Sequence, residues 1–207
     1  MLPLLEDTLQ PVRGARYLDL GCGEGTVGRR VAEHGSSVVG CDSSAGLLAR
    51  LHGFPAVLAR LPDLRWVRPT SFDGAYAVLV LEHLQDAADL FTSVRRCLLP
   101  GGVLAVVVNH PVFTAPGAGP VISAEGEALW QWGTYLLEGI TREPAGEHCV
   151  EFHHRPLGML LAAAARAGWM LRTLTEQPVG LAAAARDPVL ASQRHIPRLA
   201  GIRWTAP

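Results

Sequence analysis

The stretch YLDLGCGEGTVG, residues Tyr17 to Gly28, places four glycines in eight positions directly behind an apolar run. Gly21, Gly23 and Gly25 let the backbone take positive φ and approach a ligand with no Cβ in the way. The helix predicted behind them turns its unpaired N–H groups and positive dipole end towards the same place. Dinucleotides, phosphates and nucleoside-type cofactors all use loops of this kind, so the glycines and the intervening Cys22 leave the choice open.

Two carboxylates narrow it. Asp42 ends the next predicted strand, SSVVGCD, 21 residues beyond Gly21. A carboxylate there can accept hydrogen bonds from both hydroxyls of a ribose. Sites for NAD share this feature, so the pair indicates a nucleoside cofactor of either kind. Asp19 discriminates better. It lies two residues before Gly21, where a dinucleotide site usually has an apolar residue because the pyrophosphate would repel an acid. A carboxylate suits a ligand with a positive end, and S-adenosylmethionine carries an ammonium and a sulfonium. The other reading of Asp19 is an acid hydrogen-bonded to its own loop.

Outward from the loop, strands and helices alternate at short spacing. Strands are expected at 16–20, 36–42 and, weakly, in PAVLA at 55–59. FDGAYAVLVLEHL is apolar enough for a central strand buried on both faces. Helices are expected to Gly35, over 43–53 behind a Ser cap, and from an Asp86 cap through Leu99. Pro100-Gly101-Gly102 break the last of these before a fifth strand, VLAVVVNH. The rhythm is that of a doubly wound α/β sheet, whose ligands sit at the carboxyl ends of the strands. The chain reads as one domain, 1–207. The rhythm fails over residues 110–155, rich in Gly, Pro and aromatics, which read as an irregular substrate-side insertion or lid. A helix at 155–168, a strand at 169–176, a small helix at 181–186 and a final strand near 199–205 complete the pattern.

Composition excludes several classes. The 207 residues carry a net charge of −1, and all 18 basic residues are Arg, so no lysine Schiff base or Walker lysine is available. Without a basic face a nucleic-acid partner is not expected, and no apolar run reaches the ~20 residues of a membrane span. The four cysteines form no C-x-x-C pair and read as free thiols of a cytoplasmic protein. The expected partner is a small-molecule acceptor, with the chain a monomer or homodimer.

YLDLGCGEGTVGRRVAE, VVGCD, FDGAYAVLVLEHL and LLPGGVLAVVV follow one another as in class I S-adenosylmethionine-dependent methyltransferases of the small-molecule (type 11, UbiE-like) group, which residues 15–108 resemble. The resemblance implies a Rossmann-like sheet of seven strands, the last antiparallel and here similar to IPRLAGIRW. It implies that Gly21, Cys22, Gly23 and Gly25 cradle the cofactor's methionine and ribose portions, with Asp42 on the ribose. Asp19, Ser43, Leu81 and Glu82 at the strand exits complete the cofactor set. HHRPLGMLLAAAARAGWMLRTLTEQP resembles a segment of a bacterial subset whose fifth strand ends in His-Pro, as at His110-Pro111. The chain departs from the group in two ways: an acid after the third strand is replaced by a displaced Asp63, and only about 15 residues precede the first strand.

Methyl transfer is an in-line displacement, and a base is needed only where the acceptor keeps its proton. LEHL lacks the Asn/Asp-Pro-Pro-aromatic signature of amide and base nitrogen methylation, which favours O- or C-methylation. His83 at the fourth strand's exit and His110 at the fifth's are the candidate bases. Each has a packing or loop-fixing alternative, as Glu82 has helix capping. Cys149, Glu151 and His153 share one face of EHCVEFHH, but without a second ligand cluster no metal is expected. His153 or His154 would face the substrate. Trp130, Trp132 and Tyr135 would either form the insertion's small core or line a pocket for a flat acceptor. The rival functions are a catalytically inactive cofactor-binding module or partner subunit, and an NAD(P)-dependent oxidoreductase.

Overall fold

The computed structural model describes residues 1–145 and 148–207. After helix α1 (Leu2–Leu9) come β1 (Arg16–Leu20), α2 (Thr26–Ala32), β2 (Ser37–Asp42), α3 (Ala45–Leu48), β3 (Ala56–Leu58) and β4 (Phe72–Val78). Helix α4 (Ala87–Cys97) leads into β5 (Leu98–Asn109) and a one-turn helix, α5 (Pro111–Thr114). The insertion holds β6 (Ala118–Ile122), β7 (Ala128–Trp132), β8 (Gly139–Ala145) and β9 (His148–His154). The chain ends with α6 (Leu157–Arg166), β10 (Met170–Pro178), α7 (Leu181–Ala184), α8 (Pro188–Ser192) and β11 (Pro197–Thr205).

Seven strands form one sheet in the order β10-β11-β5-β4-β1-β2-β3. The five from β3 to β5 are parallel, and β11 runs antiparallel to both its neighbours. This is the expected Rossmann-like sheet with its last strand reversed. Strand order turns back between β1 and β4, which places a crevice at their carboxyl ends.

The two faces follow the period of 2 along each strand. Leu18, Leu20, Ala75, Ala77, Leu104 and Val106 join Phe91, Val94 and Leu160 of α4 and α6 in one core. There the Trp204 ring meets Phe91 edge-on at 5.4 Å, and the Trp169 indole donates to the Phe91 carbonyl at 3.0 Å. Tyr17, Tyr76, Ala105 and Val107 pack on the other face against Leu4, Leu5 and Leu9 of α1 and Val31 of α2. Helix α1 is pinned there by Arg203, whose guanidinium donates to the Thr8 and Leu9 carbonyls at 2.8 and 2.5 Å.

Four expectations need correction. Helix α3 is a single turn, after which Arg50 and Leu51 donate to the Leu47 and Leu48 carbonyls in tighter three-residue turns. Strand β5 begins at Leu98, and Pro100-Gly101-Gly102 form an irregularity in its pairing with β4, where Phe72 opposes Leu98 and Gly74 opposes Val103. Helix α8 went unread, although Asp187 caps it by accepting from the Val189 and Leu190 N–H groups. The insertion is not irregular: β6–β7 and β8–β9 are antiparallel hairpins. Gly126 and Gly133 take positive φ in the turns that follow β6 and β7, whereas Gly119 and Pro120 lie within β6 itself. Gly146 and Glu147, inside it, lie outside the described residues.

Two buried histidines fix the insertion: His110 ties its start to β10, and His154 ties its parts to one another. His154 is 1% exposed; its Nε2 donates to the Tyr135 carbonyl at 2.8 Å, and its Nδ1 lies 3.0 Å from the Thr114 hydroxyl. His110 caps α5 by accepting from the Val112 N–H at 3.2 Å, and its Nε2 lies 2.7 Å from Glu176 of β10. Burial holds both imidazoles below their usual range, against the pull of Glu176 on His110 and of the Tyr135 carbonyl on His154. The unfolded chain therefore takes up protons first as the pH falls, so stability declines from about pH 6.5 downward. Urea unfolding at pH 7.5 and 5.5 should show a lower midpoint at the acid pH, and His154→Gln should reduce that difference. An undiminished difference would remove His154 from the pH response.

Candidate functional site

The crevice is built on the loop after β1. Gly21 has φ +74°, Gly23 +53° and Gly25 +82°, a region that side chains disfavour. Gly21 is doubly constrained, because a Cβ there would stand 2.6 Å from a Val80 methyl. At Gly23 a Cβ would meet nothing nearer than Leu47 at 3.9 Å, so open space lies over the loop. The Gly21 and Cys22 N–H groups donate to the Cys41 carbonyl at 2.8 and 3.0 Å. Asp42 closes the clamp: Oδ2 accepts from the Gly23 N–H at 2.9 Å and Oδ1 from the Ser44 N–H at 2.8 Å.

Beneath the loop Asp19 is 2% exposed, and neither its Oδ2 nor the neighbouring Tyr76 hydroxyl has a hydrogen-bond partner among the described residues. Burial pushes this carboxyl up to about 7; a polar interaction with Tyr76 opposes the shift and the Asp42 charge adds to it. Phe54 and Asp19 crowd Gly28, where a Cβ would lie 2.3 Å from the ring and 2.9 Å from Oδ2. The glycine thus admits the acid under α2. The Cys22 and Cys41 thiols are buried and pushed up to about 12, mainly by burial, so both stay protonated at neutral pH.

A cleft of about 1150 Å³ opens here, walled by Gly21, Asp42, Ser43, the 59–62 segment, the 78–80 strand exit, His83, and Ile140, Val150, Glu151 and His153 of the β8–β9 hairpin. A second depression, of about 520 Å³ beside Arg95 and Leu99, lies at the amino ends of β4 and β5, the opposite end of the strands.

The expected residues divide. His83 borders the cleft on a 3-10 turn (Leu81–His83); its Nδ1 faces the Glu151 carbonyl at 3.2 Å, and its ring packs on Phe152 at 4.8 Å. A carbonyl only accepts, so Nδ1 carries the proton and Nε2 keeps its lone pair. His153 also reaches the cleft. His110 and His154 do not: both nitrogens of each ring are engaged in holding the insertion, which leaves no free base. Leu81 and Glu82 are buried behind the 3-10 turn and away from the cleft wall, and Glu82 Oε1 instead accepts from the Asn109 backbone and side chain at 3.3 and 2.9 Å.

The aromatic trio serves the insertion itself. Trp130 stacks on Phe113 at 4.2 Å and donates to the Val112 carbonyl at 3.1 Å. Trp132 is 61% exposed against the edge of Tyr135, whose hydroxyl accepts from the Leu157 N–H at 3.4 Å. Asp63 is outside the cleft, holding Arg65 at 2.7 Å, and that guanidinium lowers its carboxyl to about 2. Among the described residues no cluster of three or more ligating side chains could hold a metal, and no helix is long and apolar enough to cross a membrane.

Sequence reading missed Leu79, Val80, Ile140, Val150 and Glu151. The alternation that puts Glu151 and His153 on one face of a strand was the available signal for Glu151. Nothing in the sequence marks Leu79, a non-glycine residue at φ +56° on the cleft wall.

Does the cleft fit a cofactor with a cationic end and a ribose? Asp19 supplies an unpartnered buried acid, Gly23 an open backbone surface, and Asp42 a carboxylate on the wall. The residues present fit that group. Comparison with known proteins agrees. Residues 18–106 match the Methyltransferase domain family. Two ubiquinone biosynthesis O-methyltransferases are similar, one from Xylella fastidiosa (35% identity over 113 residues, 51% of this chain and 46% of the relative) and one from Brucella ovis (31% over 146 residues, 64% and 56%). The chain thus spans about half the length of these curated relatives. An S-adenosylmethionine-dependent methyltransferase structure from Mesorhizobium loti matches 98% of this chain and 96% of its own, at 33% identity and a TM-score of 0.85. With a third of the residues identical over nearly the whole of both chains, this protein belongs to the S-adenosylmethionine-dependent methyltransferases.

Proposed function

We propose that this protein transfers a methyl group from S-adenosylmethionine to an oxygen or carbon of a small-molecule acceptor. The single observation that carries the reading is the pairing, across one cleft, of a cofactor-type floor with a base-competent imidazole. The floor is the Gly21 loop and Asp42, with Asp19 buried beneath the loop; the imidazole is His83, whose Nδ1 faces the Glu151 carbonyl. Similarity to the O-methyltransferases named above favours oxygen as the accepting atom.

The bound cofactor supplies an electrophilic methyl carbon on a sulfonium. Asp42, held by two backbone N–H groups, would accept from the ribose hydroxyls with its remaining lone pairs. Asp19 offers charge to the cationic end from a buried position where Coulombic attraction is weakly screened. His83 Nε2 accepts the acceptor's proton, and the Glu151 carbonyl steadies the imidazolium through Nδ1–H. The β8–β9 hairpin forms a lid over this end, with Ile140 and Val150 excluding water from the reacting atoms. The cleft wall beneath it is partly apolar, with Leu79, Val80, Ile140 and Val150 beside polar groups.

Calorimetry with S-adenosylhomocysteine and NAD should show micromolar binding of the first only; tight NAD binding with no response to the first would reverse the assignment. Because the anionic form of Asp19 binds a cation, affinity for S-adenosylhomocysteine should rise about tenfold between pH 6 and 8 as a group near 7 loses its proton. Asp19→Asn should flatten that rise, and an equal rise in the variant would exclude Asp19 as its source. His83→Ala should lower turnover at least tenfold and leave cofactor affinity within twofold. Unchanged turnover would mean that the acceptor arrives already deprotonated or that another group takes the proton.

A further inference from the structure

The 3-10 turn that presents His83 is a weak element by itself. It is three residues long, and its own bonds are those of the His83 and Leu84 N–H groups to the Val80 and Leu81 carbonyls, at 2.9 and 3.2 Å. What holds it comes from the far end of the insertion, where Arg155 stands between β9 and α6. Its Nη1 donates to the Leu81 carbonyl at 3.2 Å and to that of His153 at 3.4 Å; its Nη2 donates to the Gln85 carbonyl at 2.6 Å and to that of Leu84. The carbonyls gripped around the turn therefore lie on both sides of His83. Among the described residues every one of these bonds goes to a carbonyl and none to a carboxylate. Burial pulls the guanidinium below its usual range, against the more distant charges of Glu138 and Asp86. A half-buried cation with no ion-pair partner is a costly way to join two segments, and an apolar contact would join them at less cost. An apolar contact could not fix several carbonyls relative to one another, whereas a planar fork with donors in set directions does.

The same stretch of chain also handles the side chain of His83. The Glu151 carbonyl faces Nδ1 at 3.2 Å, and the Phe152 ring packs on the imidazole at 4.8 Å. Arg155 follows directly, seated between the buried His154 and the buried Pro156. One short segment thus steadies both the imidazole and the backbone that carries it. We propose that Arg155 is a positioning residue for methyl transfer: it locks the turn bearing His83 to the foot of the β8–β9 hairpin, so that the imidazole keeps its proton on Nδ1, against the Glu151 carbonyl, and Nε2 as the base only while hairpin and turn are joined. The hairpin is then more than a cover, because seating it sets the base. The inference rests on His83 being the base of the proposed reaction.

The test is nitrogen-15 NMR of the full chain, labelled at histidine and saturated with S-adenosylhomocysteine at pH 8, where neutral imidazoles report their tautomers. His83, assigned by the loss of its signals in His83→Gln, should be predominantly the Nδ1–H form in the wild type. Arg155→Lys keeps the charge without the fork, and Arg155→Ala removes both. In each variant the Nε2–H form that an unrestrained imidazole prefers should become the major one, and amide exchange along β9 should quicken at least tenfold. Guanidinium chloride well below its unfolding concentration should restore the wild-type tautomer to Arg155→Ala, and ethylammonium should not. Affinity for S-adenosylhomocysteine should stay within twofold throughout, because the glycine loop and Asp42 are untouched. An Nε2–H form in the wild type, an Nδ1–H form that persists in both variants, or variants that lose their fold and are not restored by guanidinium overturn the proposal. Failure of S-adenosylhomocysteine to bind the wild type would instead overturn the methyltransferase reading beneath it.

Discussion

The Asp42 carboxylate holds two backbone N–H groups at once, Gly23 at 2.9 Å and Ser44 at 2.8 Å. This clamp ties the loop after β1 to the turn after β2, and the rest of the site depends on it. Charge-assisted bonds of this kind are the stronger sort, and here both acceptors sit on one rigid planar group. With Gly23 fixed, the loop keeps its positive-φ glycines against the ends of β1 and β2. Val80 closes on Gly21 from β4, and the cleft lies over a surface that has no side chain at Gly23.

Two acids at that floor behave differently because their surroundings differ. Asp42 is partly exposed and satisfied by N–H donors. Asp19 is buried, and that burial raises its carboxyl to about 7. A group poised between charge states costs the fold little as the acid and binds a cation as the base. It lies on the face shared with Tyr76 because side chains alternate along β1: Leu18 and Leu20 enter the α4–α6 core while Tyr17 and Asp19 turn towards α2. The acid is therefore placed by the strand's period, and Gly28 makes the room.

The sheet and the glycine loop with Asp19 beneath it and Asp42 beside it could be read from the residues, because both rest on short-range rules. Glycines at 21, 23 and 25 report backbone conformation, the unbroken apolar runs of β4 and β5 report two buried faces, and Pro-Gly-Gly reports a break. The acceptor half could not. Whether His110, His153 or His154 meets the substrate depends on how two hairpins fold back on the sheet, and adjacent residues 153 and 154 end up on opposite sides of that packing. His83 and Glu82 repeat the lesson on one 3-10 turn, where a single residue separates cleft from core. Composition left the tryptophans as insertion core or pocket wall; Trp130 packs on Phe113 and donates to a backbone carbonyl within its own insertion.

A crystal structure of the protein with S-adenosylhomocysteine most directly tests the central claim that the Gly21 loop and Asp42 form the cofactor's floor, with Asp19 beneath. The ribose hydroxyls should lie within hydrogen-bond distance of Asp42, the backbone of Gly23 against the ligand, and the amine on the side of Asp19. Density for the ligand outside this cleft, or a pose in which Asp42 and Asp19 both remain beyond hydrogen-bond or water-bridged reach, would contradict it.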